Sequence, residues 1–141
     1  MKNECNIERC LEEVGFVSAP ISGTSMLPLL KQGKALVWLK KTGEKPLEKG
    51  DVVLYKKSDG TLVLHRIIGR DNYTYLLLGD HSYNRLERVE EKDIIAIAEN
   101  YYINGRFLNK TTLWYRIYLK IWTGNLKLRR ILLAFLRLFK L

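Results

Sequence analysis

Short apolar runs separated by turn residues predict a chain built mostly of β-strands. Each run is five to eight residues long and is bounded by residues that favour turns. The runs cover residues 35–39, 51–56, 61–68, 73–78, 94–98 and 99–103. Asp59-Gly60 and Asn104-Gly105 can supply the positive φ angles of tight hairpin turns. We therefore expect a mainly β, antiparallel domain.

The pattern becomes helical at both ends of this β region. Residues 3–14 predict a short amphipathic helix, capped by Asn3 and ended by Gly15. The run 19–30 contains two prolines and a glycine, and it predicts irregular structure. These patterns indicate one domain over residues 1–110.

The last part of the chain predicts a helical tail over residues 111–141. Residues 113–122 and 126–139 have helical periodicity, and a Thr-Gly-Asn break at 123–125 separates them. Four basic residues of the second helix fall on one narrow arc, and apolar residues cover most of the remaining surface. The basic residues are Arg129, Arg130, Arg137 and Lys140. This pattern is typical of a helix that lies in a membrane interface or docks into a groove.

The net charge of +9 belongs entirely to the last 42 residues. Residues 1–99 hold 15 basic and 15 acidic side chains, whereas residues 100–141 hold nine basic side chains and no acidic one. Leu, Ile, Phe and Trp interleave these basic residues, which disfavours a nucleic-acid partner. The sequence leaves two alternatives open for the tail: peripheral contact with an anionic membrane, or packing onto the domain.

Other residue counts exclude several classes of protein. With only two cysteines and two histidines, none of them in a ligand-like spacing, we expect neither a disulfide scaffold nor a metal site, and no cofactor. The first 16 residues lack the apolar core of a secretory signal, and no apolar stretch approaches the roughly 18 residues of a spanning helix. The expected location is the cytoplasm, with the inner membrane face as the alternative for a membrane-bound tail.

Three polar residues are candidates for nucleophilic catalysis: Ser25, His65 and Asp80. A serine needs a base to take its proton, and histidine titrates near neutral pH. A carboxylate on the other ring nitrogen would orient the imidazole. Gly23 permits a tight turn, after which the amides of Thr24 and Ser25 could face a developing oxyanion. Spacing alone also fits a loop serine, a strand histidine and a turn aspartate.

Four short boxes resemble, in order, those of the signal peptidase and SOS-repressor (LexA-like) superfamily of serine peptidases. They are the Gly-preceded Ser-Met-x-Pro box in 22–30, the Gly-Asp strand 50–55, the Leu-His-Arg box 64–68 and the Leu-Gly-Asp box 78–80. The third resembles the variant of archaeal and endoplasmic-reticulum signal peptidases, in which histidine replaces the lysine base. The resemblance implies a signal-peptidase-like β domain with Ser25 as nucleophile and His65 as general base.

The same resemblance implies further roles. Thr24 and Ser25 would form the oxyanion hole, and Gly23, Met26 and Leu64 would contact the substrate. Reticulum-type enzymes carry a further aspartate after Gly-Asp, which this chain lacks; either Asp80 orients His65, or the site is a bare Ser-His dyad. Residues 86–89 and 113–118 resemble small peptidases linked to ribosomally made, modified peptides.

The expected function is therefore cleavage of a leader- or signal-like peptide by a serine endopeptidase. A first alternative is a LexA-like peptidase that cleaves itself, although residues 1–15 are too short for a helix-turn-helix. A second alternative is a module that binds peptides without catalysis.

Overall fold

The computed structural model describes residues 6–43 and 45–139, and in this part of the chain the protein is mainly β. A short N-terminal helix precedes eight strands, and two helices follow them. The elements are α1 (Ile7–Glu13), β1 (Phe16–Pro20), β2 (Ala35–Lys41), β3 (Val52–Lys56), β4 (Leu62–Arg70), β5 (Thr74–Leu78), β6 (Glu87–Glu90), β7 (Ile94–Ile103), β8 (Arg106–Leu108), α2 (Leu113–Gly124) and α3 (Leu126–Leu138).

The strands form one antiparallel sheet in the order β1-β2-β7-β3-β4-β5-β6, and β8 pairs with β7. The predicted mainly β, antiparallel class is confirmed. The two predicted strands at 94–98 and 99–103 are one continuous strand, β7; the alternation of buried residues slips by one position after Ala98, where the pairing with β2 has a register shift, but the strand does not end there.

Two segments differ from the sequence expectation. The irregular run predicted from residue 19 begins later, because β1 continues through Pro20; β1 is an edge strand, where the missing N–H of proline costs no ladder bond. The N-terminal helix, predicted over 3–14, is described from Ile7, and its cap is Asn6, whose side chain accepts from the Glu8 amide. Asn3 lies outside the described residues.

Two hydrophobic clusters fill the structure, and β3 contributes to both. Its successive side chains point to opposite faces, so Val52 and Leu54 join the larger cluster, whereas Val53 and Tyr55 join the smaller one. The larger cluster lies under α1 and the loop after β1. The smaller one includes residues of β4, β5 and β6.

The two C-terminal helices pack onto the domain through one side of each. Tyr115 of α2 belongs to the larger cluster, and Leu133 of α3 is fully buried. The predicted break narrows to Asn125, which caps α3 by accepting from the amides of Lys127 and Leu128. Among the helices of residues 6–43 and 45–139, none has the length and apolar content needed to cross a membrane.

Candidate active site

The loop after β1 presents Ser25 at the surface of the protein. Ser25 is exposed, whereas Met26, Leu29 and Leu30 are buried in the larger cluster and anchor the loop. Gly23 has a φ of +79°, a conformation that favours glycine, and its N–H donates to Gln32 Oε1 at 2.9 Å. The apolar residues after Ser25 thus hold its backbone while its side chain faces solvent.

Gly79 is the point at which the serine loop meets His65. A Cβ on Gly79 would lie 2.7 Å from the Ser25 carbonyl oxygen and 3.1 Å from His65 Nε2, so a side chain here would collide with the carbonyl and crowd the ring. The His81 amide donates to the same Ser25 carbonyl at 3.0 Å. The segment that begins with Gly79 therefore lies between the Ser25 backbone and the His65 ring and holds them near each other.

A tyrosine and a glutamate occupy the other side of the His65 ring. His65 is half-buried on β4, and its Nδ1 lies 3.2 Å from the Tyr55 hydroxyl, which donates to Glu87 Oε2. Lys57 Nζ lies 3.3 Å from Glu87 Oε1. Burial lowers the pKa of His65, although the negative charge of Glu87 acts against this. The imidazole is therefore neutral near pH 7, as a general base must be.

Asp80 points away from His65. Its Oδ1 accepts from Arg66 Nε at 2.8 Å, and its Oδ2 accepts from Arg66 Nη2 at 2.7 Å and from the Tyr118 hydroxyl at 2.8 Å. His65 and Arg66 are neighbours on β4, so their side chains leave opposite faces of the strand. The structure thus does not support the predicted role of Asp80 as the orienter of His65; its partner is Arg66.

The C-terminal helices complete the surroundings of Gly79 and Asp80. Trp122 Nε1 donates to the Asp80 carbonyl at 2.8 Å, and Arg129 Nη2 donates to the Gly79 carbonyl. The sequence placed Arg129 on a basic arc, but the structure buries it completely. This burial lowers the pKa of Arg129. The helices α2 and α3, predicted as a separate tail, therefore support the segment that contains Gly79 and Asp80.

A cleft of ≈ 290 Å³ opens beside Ser25. Its walls come from the end of β1, the serine loop and the first residues of β4. The lining includes Ala19, Ile21, Ser22, Ser25, Met26, Val37, Leu54, Leu62 and Leu64. Of the predicted substrate-binding residues, the structure places Met26 and Leu64 in this lining and Gly23 in the preceding turn. The oxyanion role of the Thr24 and Ser25 amides stays a prediction.

Unpaired strand edges flank the cleft. In the described part of the chain β1 pairs with β2 alone. On β4, residues Leu62 to His65 pair with β3 alone, because the pairing with β5 begins at Arg66. The cleft therefore has free backbone donors and acceptors available on two sides, the arrangement that strand addition requires. A larger groove of ≈ 540 Å³ beside Phe16 and Trp38 does not contain Ser25.

The chain was also compared with known proteins. No protein-family model matches it, and no curated protein matches its sequence. Within residues 6–43 and 45–139, no group of three or more His, Cys, Asp and Glu side chains is placed to hold a metal ion.

Sequence reasoning missed Tyr55, which contacts the far side of the His65 ring, and Glu87, which accepts from Tyr55. The hairpin register contains a signal for the first: Val53 pairs with His65, so Tyr55, two residues along, is a diagonal neighbour on the same face. Glu87 comes from β6, three positions away from β3 in the sheet order, yet its Oε2 accepts from the Tyr55 hydroxyl. Local sequence carries no signal for that contact.

Proposed function

We propose that the protein is a serine endopeptidase of the signal-peptidase-like type, with Ser25 as nucleophile and His65 as general base. The observation that carries the proposal is the meeting of His65 Nε2 and the Ser25 backbone at Gly79, beside an apolar cleft. The four boxes described above support the same assignment. The expected substrate is a leader- or signal-like peptide.

The reaction would proceed through an acyl-enzyme. Ser25 Oγ attacks the carbonyl carbon of the scissile bond while His65 Nε2 takes the hydroxyl proton. The imidazolium then gives that proton to the leaving amine, and the peptide bond breaks. Water, activated by the same nitrogen, attacks the ester and releases Ser25. The amides of Thr24 and Ser25 are the candidate donors to the oxyanion.

The peptide would bind in extended form between β1 and the start of β4. Backbone groups of both edges can hydrogen-bond to such a strand, and alternate side chains of the peptide would point into the cleft. The lining is mostly aliphatic, with Ala19, Leu54 and Leu62 among its residues. These walls favour apolar residues next to the scissile bond, as in a leader or signal peptide.

A fluorophosphonate probe tests the nucleophile without a known substrate. Ser25 Oγ attacks the phosphorus, fluoride leaves, and His65 takes the proton, so intact-mass spectrometry should show one adduct per chain at pH 7.5. Ser25→Ala and His65→Ala should abolish the labelling. Ser58→Ala, a change in the β3–β4 turn, serves as the matched control and should label like the wild type.

The other outcomes separate the alternatives. If the wild type is not labelled and leaves a library of apolar peptides intact, catalysis is refuted and the peptide-binding module is favoured. If the protein shortens itself on storage and Ser25→Ala stays intact, the peptidase is of the self-cleaving, LexA-like kind. Labelling that survives Ser25→Ala would refute the assignment of the nucleophile.

We propose in addition that the outer side of α2 and α3 contacts an anionic membrane surface. Large apolar side chains are exposed there, and exposed basic residues accompany them. The apolar residues are Leu113, Trp114, Ile117, Leu128, Ile131, Phe135 and Leu138, and the basic ones are Arg116, Lys120 and Lys127. Residues 100–141 contain no acidic side chain that would be repelled by anionic lipid.

Deletion of the tail cannot test this proposal, because Tyr115 and Trp122 are part of the buried structure. We expect the wild type to sediment with vesicles that contain phosphatidylglycerol and to stay in solution with phosphatidylcholine alone. Ile131→Ser with Phe135→Ser should abolish sedimentation. Tyr73→Ser removes an even more exposed aromatic side chain from the β4–β5 turn and should have no effect. Equal binding by all three proteins, or none by the wild type, would refute the proposal.

A further inference from the structure

We propose that Tyr55 and Glu87 form a positioning relay that fixes the tautomer of His65 and so leaves Nε2 free to act as the base. This inference rests on the proposed function for its catalytic meaning. The relay itself concerns only where the protons lie on Tyr55, Glu87 and His65. The relay and the proposed function can therefore fail separately.

The proton count along the relay has one consistent solution. The Glu87 carboxylate has no proton to give, so the single hydroxyl proton of Tyr55 goes to Glu87 Oε2. The Tyr55 oxygen can then only accept from His65, and Nδ1, at 3.2 Å, must carry the ring proton. A neutral imidazole has one N–H, so Nε2 keeps its lone pair. Nε2 is the nitrogen that lies against Gly79, on the side of Ser25.

The ionisation states that this count requires follow from the surroundings. Burial, with the bond to Glu87 and its charge, raises the pKa of Tyr55, so the phenol keeps its proton at neutral pH. Burial would raise the pKa of Glu87, but bonds from Tyr55 and Lys57 outweigh it and lower that pKa. Glu87 is therefore ionised at neutral pH.

The relay also suits the charged state of the base. When His65 takes the serine proton, Nδ1–H keeps its bond to Tyr55, and no proton has to move along the chain. The negative charge of Glu87 favours the imidazolium. The titratable and charged groups that act on His65 are Tyr55 and Lys57 from the β3 side, Glu87 from β6, Asp80 from the following loop and Arg129 from α3.

Nitrogen-15 NMR of histidine-labelled protein tests the relay without any activity. The His65 resonances are assigned by their loss in His65→Gln. At pH 8 we expect Nδ1 to be protonated and Nε2 unprotonated in the wild type and in Ser25→Ala. In Tyr55→Phe, the acceptor is lost and the ring should return to a mixture of tautomers. A wild type protonated at Nε2, or a tautomer unchanged by Tyr55→Phe, would overturn the relay.

Fluorophosphonate labelling of Ser25 across pH then measures what the relay contributes. Tyr55→Phe should lower the plateau rate by about 10- to 100-fold, a part of the 10²–10⁴-fold that general base catalysis supplies. Glu87→Gln should lower the plateau of the labelling rate less than Tyr55→Phe does. It should also move the acidic limb of the pH–rate profile to lower pH, because a negative charge that favours imidazolium is gone. A merely structural role would lower the plateau and leave the limb in place.

Glu90→Gln is the control, because Glu90 lies on the same strand and is exposed. It should change neither the plateau nor the limb. An acidic limb that stays at the wild-type pH in Glu87→Gln would overturn the role of Glu87. If no variant and no wild type is labelled while the NMR shows the expected tautomer, the proposed function fails and the relay stands.

Discussion

Asp80 and Glu87 lie on opposite sides of the strand that carries His65, in contrasting environments. Asp80 and its partner Arg66 have no exposed side-chain surface, and Tyr118 closes the pair. Glu87 keeps a third of its side chain exposed, and its partners are a tyrosine, which can donate or accept a hydrogen bond, and a surface lysine. The first carboxylate is sealed in a complete ion pair, whereas the second remains beside the imidazole.

This difference in environment explains which of the two carboxylates can stabilise a positive charge on His65. The negative charge of Asp80 is balanced by the Arg66 guanidinium, which donates two hydrogen bonds to it. Asp80 is therefore poorly placed to stabilise a positive charge that forms on His65. Glu87 is linked to His65 through one hydroxyl and can respond to the imidazolium. We infer that the buried pair of Asp80 and Arg66 maintains the structure behind Gly79. We infer also that Glu87, through Tyr55, modulates the pKa of His65.

The largest effect should come from breaking the sealed pair. Arg66→Gln leaves a buried carboxylate without its counter-charge, which should lower the free energy of unfolding by about 3–5 kcal/mol. The matched control is Arg88→Gln, which removes the arginine of an exposed pair with Asp71 and should cost less than about 1 kcal/mol. Urea unfolding followed by fluorescence measures both. Equal losses in the two variants would contradict the contrast drawn above.

A smaller loss should follow from Arg129→Met. This change removes two charge-assisted hydrogen bonds, one to the Gly79 carbonyl, which keeps its bond from the Ser82 amide, and one to the Trp122 carbonyl, and we expect a cost of about 1–3 kcal/mol. Ser25 labelling should also slow, because the Gly79 segment positions His65. Arg130→Met is the control: it removes only a cation–π contact with Tyr83, worth about 0.5–1 kcal/mol. A cost no greater than the control would refute the support role of Arg129.

Much of the fold could be predicted from local sequence. Five strands and both C-terminal helices follow from periodicity and turn residues, because those signals act over a few neighbours. The strand β6 was missed because its four residues, Glu87–Glu90, are largely charged and are held by pairing with β5. The strand β1 was not predicted, because Pro20 indicates a break in regular structure until its edge position is known.

The candidate site shows the same limit. Ser25, His65 and Asp80 are identified by motif, but their partners depend on which face of the sheet each side chain takes. The sequence could not show that Asp80 pairs with Arg66, or that Arg129 turns inward from a basic arc. Both contacts join residues 14 or 50 positions apart, where only the folded chain supplies the geometry.

The pH response of His65 offers a third measurement. Because burial lowers its pKa, we expect the His65 ring protons to titrate in NMR with a midpoint below 6.5, the ordinary value. The unfolded chain then binds a proton that the folded chain does not, so this group makes the protein less stable as the pH falls below 6.5. His65→Gln should remove this part of the pH dependence. A midpoint at or above 6.5 would contradict the burial argument.

The smallest effect should come from Lys57→Gln, which removes the lysine that pairs with Glu87 at the surface. The pair is partly exposed, so the stability should change by less than about 1 kcal/mol. The positive charge of Lys57 lowers the pKa of His65, so its loss should move the NMR titration to higher pH, opposite in sign to Glu87→Gln. Lys56→Gln, whose lysine pairs with Glu8, should leave it unchanged. Shifts of the same sign in the Lys57 and Glu87 variants would show that His65 does not sense these charges individually.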